Sequence, residues 1–208
     1  MSAVGIRCAR QSELDSICEI LAVGFSKDPV WGLWTFPEKV DRTALLREFW
    51  RPYVVAALRY DGAIVTEDLS AVSIWVPPGV SELDEEDEAV VAEMLPRVCG
   101  SRAPLLESGW EAFGRSRPEA KHWYLSLLAT APEQRGRGVG MALVTAQLER
   151  VDADQLPAYL ESTNRANIPR YERAGFALDG YFDLPEGPRV DRMWRDSIQG
   201  RITTPVAH

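Results

Sequence analysis

The segment APEQRGRGVGMALV (131–144) holds three glycines, at 136, 138 and 140, and two arginines, at 135 and 137. They fall where a strand gives way to a predicted helix. Glycine costs about 1 kcal/mol against alanine inside a helix, and two neighbouring guanidinium groups repel. An anion at the helix start removes the contradiction. The first backbone N–H groups of a helix lack internal partners and carry partial positive charge. Glycines let a phosphate approach them without a Cβ in the way. A nucleoside triphosphate loop is excluded, because Met141-Ala142 stands where Lys and Ser/Thr are needed. A dinucleotide fingerprint spaces its glycines differently and needs a ribose-binding acid about twenty residues on. The pattern here is Arg135-x-x-Gly138-x-Gly140 after Pro132.

A second segment, ESTNRANIPRYERAGF (161–176), follows one helix and one strand later. In that order, the two resemble the coenzyme A pyrophosphate motif and the Tyr-x-x-x-Gly-Phe region of the GNAT superfamily of N-acetyltransferases. PAYLEST, IPRYERAGF and LPEGPR (184–189) look like its puromycin N-acetyltransferase-like members. The likeness covers roughly residues 120–195, and the first half only in layout.

The resemblance implies an α/β (α+β) GNAT fold, a single mixed, centrally splayed β-sheet flanked by helices. It implies acetyl-CoA (coenzyme A) as co-substrate, no metal, and direct attack of a primary amine in a ternary complex. The backbones of Leu128, Ala129 and Thr130 would pair with the pantetheine arm. Arg135, Gly136, Arg137, Gly138, Val139 and Gly140 would hold the pyrophosphate. Asn164 fits the usual family spacing for a pantetheine contact, and Asn167 the puromycin-type spacing. Tyr171 matches the tyrosine that protonates the departing thiolate. Glu161, at the end of a strand beside the splay, is either the base for the amine or a carboxylate that orients it or serves structure.

For the acceptor the residues say less. The loop 26–39 is unusually apolar, with Trp31, Trp34 and Phe36. Trp31, Trp34 and Trp75 are the candidate substrate-binding residues, although for any one alone core packing is the better reading. Together with Trp50 and Trp123 they favour an aromatic or hydrophobic small-molecule amine. Acetylation of a protein N-terminus or lysine, and a non-catalytic acyl-CoA-binding module, are the alternatives. The net charge of −8 argues against nucleic acid as a partner. No apolar run has membrane-spanning length. Three scattered cysteines, Cys8, Cys18 and Cys99, suit a reducing cytoplasm. Monomer and homodimer are both open.

The elements that must position these residues follow from periodicity and punctuation. A strand at 4–9 and a helix at 11–25 precede the apolar loop. A helix at 41–62 contains Pro52, which predicts a kink or break. A hairpin at 63–80 turns at Glu67-Asp68. A helix at 81–100 starts behind Ser81, with its acidic run suiting the helix dipole. Another spans about 102–117. The strand at 122–132 is apolar on both faces, as a strand covered on both sides requires. A helix at 140–154 and a strand at 156–163 follow. A short helix at 167–176 has Asn167 as its cap, Pro169 in its first turn and Gly175 at its exit. A hairpin at 177–196 turns at 185–188. One domain over 1–196 with a polar tail at 197–208 is the expected organisation.

Overall fold

The structure, a computed structural model, describes residues 5–38 and 41–198. Within these, β1 (Ile6–Cys8), β2 (Ala63–Thr66), β3 (Ala71–Val76), β4 (Trp123–Thr130), β5 (Ala158–Ser162), β6 (Ala177–Asp183) and β7 (Arg189–Arg195) form one sheet. Their order is β1-β2-β3-β4-β5-β7-β6. β4 and β5 run parallel, and the other neighbours are antiparallel. Most of the predicted tail, from residue 199 on, lies outside the described residues.

Helices cover both faces. α1 (Leu14–Phe25), α2 (Arg42–Arg59), α3 (Glu85–Cys99) and α4 (Ala103–Ser116) pack on one. α5 (Val139–Ala153) and α6 (Ile168–Arg173) pack on the other. The double cover explains why β3 is buried at all six positions and why β4 is apolar on both sides.

Three local expectations change. Pro52 does not break α2, which runs on to Arg59. The lost backbone bond is offset by the burial of Phe49, Trp50 and Val54 against the sheet and α1. The cap of α3 is Asp84, not Ser81. Asp84 accepts from the Asp87 amide at 2.9 Å, and Asp87 reaches back to the Asp84 amide at 3.2 Å. Arg59, at the end of α2, bridges both acids and ties the two helices together. At the short helix Asn164 does the capping through the Ala166 amide, and Asn167 makes no side-chain cap bond.

The apolar loop folds as a π-helical turn, Pro29–Trp34. The Asp28 carboxylate holds its start, accepting from the amides of Val30 (2.9 Å) and Trp31 (3.0 Å). The other Asp28 oxygen accepts from Thr163 Oγ1, just past β5, at 2.8 Å.

Candidate functional site

The site begins with an irregularity in β4. Ile74 pairs with Leu127 and Trp75 with Leu125, so Ser126 is an extra residue, a β-bulge. On its other edge β4 stays with β5 only through Leu125↔Leu160. The two parallel strands therefore diverge at the bulge. Beyond that point Ser126–Thr130 have no partner on β5.

The opened strand separates two cavities. The first, about 600 Å³, runs along Leu128, Ala129 and Thr130 to the start of α5. Arg135, Gly136, Gly138, Val139 and Gly140 line it, with Asn164, Asn167 and Tyr171 opposite. Gly136 (φ +78°) and Gly138 (φ +80°) take left-handed conformations, and a Cβ on either would meet nothing within 4 Å. No side chain caps α5. Its first amides thus face a bare cradle, which fits a pyrophosphate. Among the described residues four cations, Lys27, Arg135, Arg170 and Arg173, line this cleft against one carboxylate, the buried Asp28. The cleft is electropositive although the whole chain carries −8.

Arg137, expected to share the pyrophosphate, does not line the cleft. It is exposed and donates to Gln134 Oε1 at 3.0 Å. Arg135 Nε turns back to the Thr130 carbonyl at 3.3 Å, across the mouth of the cleft. Tyr171 is buried, and burial pushes its phenol up to about 12, so it keeps its proton at neutral pH.

The second cavity, about 430 Å³, lies between α2, α3, α4 and β4. The bulge turns both Ser126 and Leu127 into it, while Leu125 and Leu128 pack toward α5. Trp31 forms one wall, stacked on Phe113 with ring centroids 5.4 Å apart. Trp34 and Trp75 line neither cavity. Trp34 is pinned by its indole N–H to the Pro185 carbonyl (3.2 Å) and fills the space left by Gly109 and Gly187. Trp75 is fully buried among Trp123, Leu125 and Leu160 on the α5 face. The core claimed both.

Glu161 also lines neither cavity. Alternation along β5 sends Leu160 toward α5 and Glu161 to the opposite face, behind Tyr124 and Arg117. Its side chain is 2% exposed, and Arg117 Nε stands 3.9 Å from Oε1. Neither carboxylate oxygen makes a hydrogen bond of ordinary length. Burial pushes its pKa above the usual carboxylate range, against the pull of Arg117 and the phenols of Tyr124 and Tyr159.

Among the carboxylates that line the second cavity, Glu82 is the one bonded to β4, and sequence reading missed it. It accepts from Ser126 Oγ and from Arg117 Nη2 (3.3 Å). Its contact partner on β4 lies 44 residues away, so local pattern gave no signal for it.

The structure is a seven-stranded mixed sheet, splayed at its parallel pair, with a bare glycine cradle beside the splay, the architecture that the sequence resemblance implies. The profile of the Acetyltransferase (GNAT) family matches residues 42–176, and the chain belongs to that family of acyltransferase enzymes. It is 25% identical over 143 residues to an uncharacterized N-acetyltransferase, C550.08, of Schizosaccharomyces pombe. That match takes in 60% of this chain and 54% of the relative, so the chain spans about half the length of the curated protein it matches. Among solved structures it is similar to one described as histone acetyltransferase HPA2 and related acetyltransferase from Corynebacterium glutamicum (TM-score 0.70, 24% identity, 99% of each chain). It is also similar to arylalkylamine N-acetyltransferase 2 of Aedes aegypti (TM-score 0.63, 13% identity, 94% of this chain and 99% of that one). A Drosophila melanogaster polyamine N-acetyltransferase gives TM-score 0.61 at 15% identity, over 93% of this chain and 100% of that one. These likenesses establish the fold.

No helix among the described residues is long and apolar enough to cross a membrane.

Proposed function

We propose that the chain transfers an acetyl group from acetyl-CoA to the primary amine of a small molecule, by direct attack in a ternary complex. One observation carries the reading: an electropositive cleft and a walled aromatic cavity meet along one stretch of β4 whose β5 edge is free. The resemblance to puromycin N-acetyltransferase-like members also favours a small acceptor, and three free cysteines favour a reducing cytoplasm.

In this reading the cradle at 136–140 and Arg135 hold the pyrophosphate, and the free edge of β4 at Leu128–Thr130 holds the pantetheine. Asn164 and Asn167 close the opposite side. The acceptor's ammonium first gives up one proton to solvent water. Its nitrogen then forms a bond to the thioester carbonyl carbon, the C–S bond breaks, and a second amine proton balances the thiolate. Charge developing on the carbonyl oxygen needs a donor, and the Leu128 N–H is the candidate for it. Tyr171, at about 12 against about 8.5 for a thiol, favours hydrogen-bond donation to the sulfur over outright proton transfer. Glu161 acts through Arg117 and so positions rather than abstracts.

The test is thiol release from acetyl-CoA with a panel of small amines beside lysine-bearing peptides. Small amines should turn over and peptides should not. Peptide turnover alone would move the acceptor to protein. A melting-temperature rise with acetyl-CoA and no thiol from any acceptor would leave only a binding module. Arg135→Glu should weaken acetyl-CoA binding by more than Arg137→Glu does.

A further inference from the structure

We infer that the acceptor is a primary amine carrying an aryl group, and that Glu82 holds its ammonium. The inference rests on the acyl-transfer reading of the site and names its substrate class. Glu82 lies between β3 and α3, its side chain 16% exposed. A carboxylate has about four acceptor positions. Ser126 and Arg117 occupy two of Glu82's, which leaves capacity facing the cavity. Ser126 is the bulge residue, and two residues of strand, about 7 Å, separate it from Leu128 in the donor cleft. An ammonium on Glu82 therefore stands at the threshold between the two cavities.

The charge of the cavity agrees. Glu82, Glu88 and Glu107 line it against the single guanidinium of Arg117 among the described residues. Arg117 is fixed over the Tyr124 ring at 4.1 Å and is shared with the buried Glu161 behind it. Arg117 also pairs with Glu82 itself at 3.3 Å, so one guanidinium is divided among several partners while three carboxylates line the cavity, which is left net negative.

The walls decide what the cation is attached to. Trp31, Trp50, Tyr53, Trp110 and Phe113 line the cavity. Trp31 packs edge-on against Trp50 at 5.3 Å while stacking on Phe113. The slot is held open by rings locked against one another. Aromatic faces reward a planar ring by offset stacking. A flexible polyamine would gain less from them and would need carboxylates spread along its length.

The experiment uses the full chain with coenzyme A present and titrates three probes by calorimetry: 2-phenylethylamine, 2-phenylethanol and n-butylamine. Wild type should prefer the aryl amine over each of the other two by roughly tenfold or more. Glu82→Gln should bring amine and alcohol within about threefold of each other, with coenzyme A affinity unchanged. Glu82→Asp should restore part of the preference. The rim variant Glu107→Gln should keep most of it. Absence of saturable 2-phenylethylamine binding, equal binding of n-butylamine, or an amine preference that survives in Glu82→Gln would each overturn the inference. Correct discrimination in binding without thiol release from acetyl-CoA would sink the catalytic reading instead, and leave the ammonium site standing.

Discussion

Gly32 sits in the π-helical turn between the two cavities, and its replacement by alanine is a sharp test of how that turn is held. A Cβ at Gly32 would lie 2.5 Å from the carbonyl oxygens of Phe25 and Ser26 and 2.7 Å from the Ser26 carbonyl carbon. All three are backbone atoms at the end of α1, so no side chain can swing aside. The turn must lift off α1 by several tenths of an ångström. Overpacking of this kind costs about 1–3 kcal/mol. In a domain of 150–250 residues each kcal/mol moves the melting temperature by about 2–4 °C. A fall of roughly 2–12 °C is therefore expected for Gly32→Ala in a thermal melt. The turn carries Trp31, so tryptophan fluorescence of the aromatic cavity should change with it. The glycine cradle at 136–140 is built elsewhere, and the melting-temperature gain on adding coenzyme A should be nearly intact. A variant that melts within a degree of wild type would show that the turn does not press on α1 as described.

Tyr171→Phe should lower turnover strongly, by ten- to a thousandfold, with coenzyme A affinity almost unchanged; unimpaired turnover removes the phenol from the reaction. Asp84→Ala should lower the melting temperature by a few degrees while Ser81→Ala leaves it alone; the reverse order would reinstate Ser81 as the cap of α3. Glu161 has a pKa raised by burial, so above the ordinary carboxylate value the folded chain keeps a proton that the unfolded chain releases. Stability contributed by this group is then lost as pH rises from about 4.5 through the raised value. Glu161→Gln cannot ionise, so its stability relative to wild type should improve across that window in equilibrium denaturation. A difference that stays constant with pH would mean that Glu161 titrates normally.

The glycine-lined cleft was legible because its geometry is local. Gly136, Gly138 and Gly140 report backbone conformation and access within one loop, and residue type alone records both. Arg135 and Arg137 show the limit of that reading: both sit in the same motif, yet only one side chain faces the cleft. The aromatic cavity is assembled from distant segments. Trp31, Trp34 and Trp75 share a residue type that serves core and pocket equally, and packing assigned them differently. Ser126 looks like an ordinary strand residue until its β3 partners show the slipped register. Glu82 acquires meaning only from Ser126 and Arg117. Two features of the structure were readable in advance. Asp84-x-x-Asp87 is a readable capping pair, and period-two alternation already puts Glu161 opposite Leu160.

β4 offers two kinds of surface within a few residues. Toward one cavity it runs beside the bare glycine cradle; toward the other it helps frame a slot of side chains, most of them from α2, α3 and α4. Main-chain geometry barely notices most substitutions, whereas a side-chain slot is rewritten by one or two. On the proposed reading, descendants of this chain would exchange one acceptor for another by point mutation around the slot and inherit the glycine cradle unaltered.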